Sequence, residues 1–259
     1  MSSMKKKAAA TVISQKMIAP QIYDMWLETE LAGEAHAGQF IAVYPKDKST
    51  LLQRPISICE VDKQAGRLRI VYRIQGKGTA EFAAYTAGEQ VQILGILGNG
   101  FPIERAEGKK VFLMGGGIGI PPMLELAKEL KGEVHIVVGY RDSQLFLKED
   151  LEKYGIVHIA TEDGSVGCKG NVLDLMKQEN LQAQVIMACG PMPMLRAIKA
   201  YAEETNAEAY ISLEERMACG VGACLGCVCR TKKVDAHSHV NNARICTDGP
   251  VFDAKEVDI

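Results

Sequence analysis

Five of the eight cysteines fall in the 28 residues from 219 to 246, three of them set as Cys219-x4-Cys224-x2-Cys227, with eighteen residues between Cys227 and Cys246. This is the spacing of plant-type [2Fe–2S] ligation. Three thiolates must converge on one small cluster from a single loop, and Gly220, Gly222 and Gly226 let that loop fold tightly and aim N–H groups at sulfur. Zinc is the rival for any four-cysteine set, although structural zinc more usually takes two C-x-x-C knuckles. Buried free cysteines alone would not account for five thiols in a glycine-rich loop. Cys229, one residue past Val228, points to the opposite side of an extended chain from Cys227 and reads as packing. His237 and His239 invite a Rieske reading, but four thiolates are already available, and these histidines are expected to be solvated.

Two further segments suit phosphate. Gly115-Gly116-Gly117-Ile118-Gly119-Ile120-Pro121-Pro122 joins a predicted strand to a predicted helix, where backbone can approach a pyrophosphate and a helix dipole favours it. It is not the Rossmann fingerprint, because Ile120 stands where that pattern needs glycine. Cys189-Gly190-Pro191 follows a second strand, and both turns would open at the carboxyl end of one sheet, where such folds bind ligands. The bland reading of both turns is close strand–helix packing. Nearer the N-terminus, Arg54-Pro55-Ile56-Ser57 opens a strand and Gly76-Lys77-Gly78-Thr79 opens a helix. An arginine fork and a helix start can share an anion, although Arg54 alone could be a surface charge and Gly78 a plain helix-start residue.

The elements that carry these residues fall into three stretches. Residues 1–103 alternate in period two over six short segments, Ala9–Ser14, Tyr23–Glu28, Gln39–Tyr44, Ile56–Glu60, Arg67–Ile74 and Glu89–Leu94, which predicts a small antiparallel β-barrel. Residues 104–212 alternate strands with helices, predicting a doubly wound parallel sheet, with helices expected over Pro121–Lys131, Leu145–Tyr154, Asn171–Gln178 and Pro191–Glu204. Residues 213–259 form the cysteine segment. The 259 residues carry 30 basic and 32 acidic side chains, a net charge of −2, so nucleic acid and anionic membranes are not expected partners. The longest uncharged stretches are shorter than the ~18 apolar residues a membrane helix needs, and Lys5-Lys6-Lys7 leads into too weak an apolar run for a signal peptide, so a cytoplasmic protein is expected.

The order of these parts, RPIS and GKGT, then GGGIGIPP and CGPMPM, then EERMACGVGACLGCVC, resembles the ferredoxin–NADP reductase superfamily. Over essentially the full chain it is most similar to the electron transfer subunits of dihydroorotate dehydrogenase B. The resemblance implies FAD, a [2Fe–2S] cluster and NAD as cofactors. It assigns Arg54, Pro55, Ile56, Ser57, Val71, Tyr72, Arg73, Gly78 and Thr79 to FAD, with Arg54 on the pyrophosphate and Ser57 near the isoalloxazine. The cluster falls to Cys219, Cys224, Cys227 and Cys246, and the two glycine turns, Gly115, Gly116, Gly117 and Gly119 with Cys189, Gly190 and Pro191, to the nucleotide. It further implies an FMN-containing dihydroorotate dehydrogenase catalytic subunit as partner, in a heterotetramer of two subunits of each kind. Many reductases of the superfamily place a stacking tyrosine where Ile56 stands, so aromatic stacking from this position is absent. A subunit of another redox assembly, such as a hydrogenase or an NADH-dependent ferredoxin:NADP oxidoreductase, shares this architecture, and a zinc-stapled docking module is the non-catalytic reading. Nucleotide choice rests on Asp142, which could accept from a ribose hydroxyl, against Arg141, which could meet a 2′-phosphate; the resemblance points to NAD.

Overall fold

The structure, a computed structural model, describes residues 5–234 and 239–259, so His237 lies outside the described residues. The chain forms two compact units, one of Met1–Gly100, Glu214–Val228 and Arg244–Pro250, the other of Phe101–Leu213, Cys229–Ala243 and Val251–Ile259. No helix among the described residues is long and apolar enough to cross a membrane.

In the first unit the six alternating segments become β1 (Lys6–Ala19), β2 (Ile22–Glu28), β3 (Phe40–Tyr44), β4 (Arg54–Asp62), β5 (Arg67–Arg73) and β6 (Gln90–Leu97). They close an antiparallel barrel in the order β1-β2-β5-β4-β3-β6. Alternation decides which face is core: Ile41 and Val43, Ile56 and Ile58, Leu68 and Ile70, and Val91 and Ile93 all join one buried cluster, and Ile96 joins it past a register shift in β6. Their neighbours Gln53, Pro55 and Ser57 on the β4 side, and Leu94 and Leu97 on β6, therefore face outward. On the other face of β5, between Leu68 and Ile70, Arg69 is held in a buried fork by Asp24, with Nε–Oδ1 and Nη2–Oδ2 both 2.9 Å, and reaches Glu60 at 3.0 Å.

The helix expected after Gly76 is α1 (Lys77–Phe82). A single side chain ties its end to the barrel: Gln15 Nε2 donates to the carbonyls of Phe82 and Tyr85 at 2.9 and 3.0 Å, while Gln15 Oε1 accepts from the Tyr72 hydroxyl at 2.8 Å. Glu81 accepts from the backbone N–H of Lys46 and Asp47 and from the Tyr85 hydroxyl, fixing the helix to the loop after β3. Gln15→Leu would strand two carbonyls and a phenol, and should cost about 2–3 kcal/mol. Chemical denaturation reads this directly, and unchanged stability would show that Gln15 does not hold the helix.

The second unit carries β7 (Val111–Gly116), α2 (Pro122–Glu129), β8 (Val134–Tyr140), α3 (Lys148–Leu151), β9 (Ile156–Thr161), β10 (Cys168–Lys169), α4 (Val172–Gln178), β11 (Val185–Cys189), α5 (Met192–Thr205), β12 (Glu208–Ser212) and β13 (Val251–Asp253). The sheet order is β10-β9-β8-β7-β11-β12-β13, parallel except that β13 runs antiparallel to β12. Val111–Met114 and Val185–Ala188 are buried throughout, as strands covered on both faces must be. The helix expected over Leu145–Tyr154 shrinks to the single turn of α3. Leu147 adopts a left-handed conformation, φ 63°, and the Phe146 carbonyl is taken by the Tyr140 hydroxyl at 2.9 Å, so no helix can run through. At the amino end of β8 and β9 a hydrogen-bonded chain runs Glu133–His135–His158–Glu179, with contacts of 2.8, 3.0 and 2.8 Å, and clasps two strands to the end of α4.

Candidate cluster, flavin and nucleotide sites

Three of the four predicted ligands arrive on one loop and the fourth from a separate turn, and all four belong to the barrel unit. Asn99, at the exit of β6, holds that turn: its N–H donates to Gly249 O at 2.7 Å and its Nδ2 to the carbonyls of Thr247 and Asp248 at 3.1 and 3.0 Å. Arg244 closes the turn on Asp248 from its backbone N–H, Nε and Nη2, and Ile245 N–H donates to Cys227 O at 2.9 Å. Gly222, at φ 80°, comes so close to Thr247 that a Cβ would lie 2.9 Å from its Cγ2. This is one position where glycine is needed for approach.

The thiols gather in two pairs. The Cys219 thiol lies close enough to that of Cys224, and Cys246 to that of Cys227, for each pair to influence the other's ionisation. Backbone N–H groups converge on sulfur: Val221 donates to Cys219 and Gly226 to Cys224, both at 3.4 Å, while the N–H groups of Ala223 and Cys224 also favour the Cys219 thiolate and that of Gly222 the Cys246 thiolate. Burial would raise the Cys219 thiol, but these donors outweigh it and lower its pKa to about 6. Cys246, fully enclosed, is pushed up to about 12, by burial first and then by its neighbour Cys227. Among the described residues no three His, Cys, Asp or Glu side chains gather as a single metal-holding group. Two thiol pairs with N–H donors around them fit a two-iron cluster, in which each iron takes two thiolates. Cys229 is half-buried in the short strand Val228–Arg230, and His239 is exposed.

On the same unit Arg54 and Gly78 meet. A Cβ on Gly78 would lie 3.0 Å from Arg54 Nε and 3.2 Å from Nη2, so the guanidinium sits tightly against this glycine at the start of α1 and would have to shift for any larger residue. Arg54 Nη1 is already bound to Leu52 O at 2.5 Å, which orients the fork. Thr79 Oγ1 accepts from Gln75 N–H at 2.8 Å and shapes the turn before the helix. Pro55 and Ser57 are half-buried on the outer face, whereas Ile56 points into the core. Val71 is buried and Arg73 exposed. Tyr72 is committed to the barrel: its ring stacks on Tyr23 at 6.0 Å and its hydroxyl serves Gln15, with burial pushing its pKa well above the usual phenol value.

In the second unit the two glycine turns are brought together. Gly115 and Cys189 are register partners on the adjacent strands β7 and β11, where the chain, having built one side of the sheet, crosses to build the other. Such a switch point is where open α/β sheets bind ligands. A Cβ on Gly119 would lie 2.3 Å from Cys189 O, and one on Gly116 2.5 Å from Met194 Sδ and 3.1 Å from Pro191 Cδ. These glycines are demanded first by the packing of one turn on the other, with Gly190 completing it. Gly117 alone takes a left-handed conformation, φ 53°. Asp142 Oδ1 accepts from Gln144 N–H at 2.9 Å just past β8, which fixes its carboxylate, while Arg141 is exposed.

The iron–sulfur cluster binding domain of dihydroorotate dehydrogenase B, as a family model, matches residues 214–258. The chain is 44% identical over 253 residues to the dihydroorotate dehydrogenase B (NAD(+)), electron transfer subunit of Listeria welshimeri, covering 96% of this chain and 97% of that one. The chain belongs to this family. Its electron transfer subunit from Bacillus caldolyticus is 45% identical over 255 residues, covering 95% of this chain and 96% of the relative. Among solved structures, the NADH-dependent reduced ferredoxin-NADP oxidoreductase superposes with a TM-score of 0.86 at 26% identity, covering 100% of this chain and 91% of that chain. A ferredoxin NADP+ reductase from Neisseria gonorrhoeae, with bound FAD and NADP, shares the fold at a TM-score of 0.65 and 17% identity, over 82% of this chain and 94% of that one. As an electron transfer subunit, the chain works with a catalytic partner.

Two residues that position the sites carry no motif. Gln15 lies 67 positions from the carbonyl it caps, and Asn99 is 148 positions from the turn it holds. Only a polar residue inside a barrel strand, and an Asn among exit glycines, hinted at either.

Proposed function

We propose that the chain relays electrons in the cytoplasm between NAD(H) and an FMN-containing dihydroorotate dehydrogenase catalytic subunit, as half of a heterotetramer with two subunits of each kind. The observation that carries this reading is that the barrel unit holds both the paired thiols Cys219, Cys224, Cys227 and Cys246 and the Arg54–Gly78 contact. The bound flavin supplies an exchange between the two electrons of a nicotinamide hydride and the single electrons of an iron–sulfur cluster.

The chain's own residues prepare these sites. Arg54 offers Nε and Nη2 to the pyrophosphate beside Gly78 and Thr79, its third nitrogen being fixed by Leu52. Pro55 and Ser57 face the ring from the outer side of β4, and Ile56 supports them from the core. Val71, Tyr72 and Arg73 contribute through the backbone of β5, since the Tyr72 side chain is already used. In the second unit Gly115, Gly116, Gly117 and Gly119 with Cys189, Gly190 and Pro191 frame the nucleotide at the switch point, and the fixed carboxylate of Asp142 favours the ribose hydroxyl of NAD. The N–H groups around Cys219 lower its pKa and so favour the thiolate that ligates.

The cluster loop also exposes what a partner would cover. Cys224 is exposed, and Val221, Leu225 and Val228 beside it are 42%, 48% and 38% exposed. Large apolar side chains gathered around a ligand support the loop as the face that meets the catalytic subunit. The hydrogenase or ferredoxin:NADP reading has less support, since the likeness to that structure is 26% against 44% within the family.

Arg54→Ala should weaken flavin binding by about 10–100-fold, the loss of a charge-assisted fork, while the visible spectrum of the cluster persists. Equilibrium flavin release on dilution measures it. Unchanged affinity would remove Arg54 from the site.

A further inference from the structure

We infer that Gln53 is a positioning residue for the cluster, its side-chain amide donating an N–H···S hydrogen bond at the Cys219 end. The inference rests on the cluster ligation proposed above. Gln53 is 5% exposed, and its Nε2 is buried with no hydrogen-bond partner. Leaving such a buried amide donor without a partner is costly, so a group that accepts its hydrogen bond is expected nearby. Its surroundings say which. A Cβ built on Gly220, the residue after Cys219, would lie 3.4 Å from Gln53 Nε2, 3.4 Å from Leu97 Cδ1 and 3.7 Å from Leu94 Cδ2.

Gln53 thus lies on the barrel's outer face, beneath the cluster loop and flanked by two leucines. Flavin is the other acceptor within the unit, and Pro55 and Ser57 of the same outer face are assigned to its ring, but the close approach of Gln53 Nε2 is to Gly220, in the loop of Cys219. Gln53 would reach the cluster from the residue just before β4, whereas the backbone donors already described come from the loop itself. A donor to sulfur stabilises the extra negative charge of the reduced cluster and raises its potential.

The test uses the full chain reconstituted with iron, sulfide and FAD. Gln53→Leu should retain stoichiometric iron, shift the cluster midpoint to more negative potential in an EPR-monitored titration, and leave the flavin midpoint in place. Wild-type protein grown with side-chain-amide ¹⁵N-glutamine should show a ¹⁵N coupling to the reduced cluster in pulsed EPR, absent from Gln53→Leu. An unmoved cluster midpoint, a shift confined to the flavin, or no ¹⁵N coupling in the wild type would each overturn the inference. If Gln53→Leu fails to fold, the wild-type coupling still decides. Absence of any cluster from wild-type protein would instead overturn the ligation on which the inference rests.

Discussion

Replacing Cys246 by serine should abolish the visible and EPR signals of the cluster, whereas replacing Cys229 by serine should leave both intact. Cys246 is proposed as the fourth donor and is the most enclosed of the four: it is fully buried, with Cys227 and the Gly222 N–H beside it. Its thiol is pushed up to about 12 without iron, so ligation must displace a proton that the site otherwise retains. Serine, with a far higher pKa and a harder oxygen, competes poorly for iron in that position. Cys229 is half-buried on Val228–Arg230, outside the two thiol pairs. Iron and sulfide analysis of both variants decides. Iron lost from the Cys229 variant and retained in the Cys246 variant would reverse the ligand assignment.

Purified alone, the chain should reduce an artificial acceptor from NADH but show no dihydroorotate oxidation; dihydroorotate-dependent NAD reduction should rise from background only when the FMN subunit is added. The two units are committed to a small barrel with its thiol loop and to a parallel sheet with its glycine turns, and neither resembles the separate barrel of about 250 residues that a TIM-type catalytic subunit takes. The exposed Leu225 lies on the loop proposed to meet that subunit. Leu225→Glu should weaken association and lower coupled turnover while NADH oxidation by the isolated chain is unchanged. Dihydroorotate turnover by the isolated chain would overturn the relay, and failure of the two subunits to associate would favour another redox assembly.

The barrel was legible because its strands bury one face: Ile56 and Ile58, or Val91 and Ile93, alternate against residues of the outer side. The parallel strands were legible as unbroken apolar runs, and the cysteines by spacing alone. What escaped the sequence depends on contacts between distant segments. Gln15 looks like a solvent-facing residue of an edge-like strand until α1 is docked on it. Asn99 looks like loop until the turn of Cys246 is placed beside it. The glycines at 116 and 119 suggest phosphate, yet part of their requirement is Met194 and Cys189 pressing on them. The helix expected over Leu145–Tyr154 has suitable residue types, but the Tyr140 hydroxyl captures the carbonyl of Phe146 and the left-handed Leu147 ends the matter.

The relay order, nicotinamide to flavin to cluster, is the central claim, and anaerobic reduction of the reconstituted chain by NADH tests it most directly. With FAD bound, freeze-quenched samples should show the EPR signal of the reduced cluster within a turnover. Protein stripped of FAD but with its full complement of iron should show none, and adding FAD back should restore it. Cluster reduction by NADH in the flavin-free protein would contradict the account.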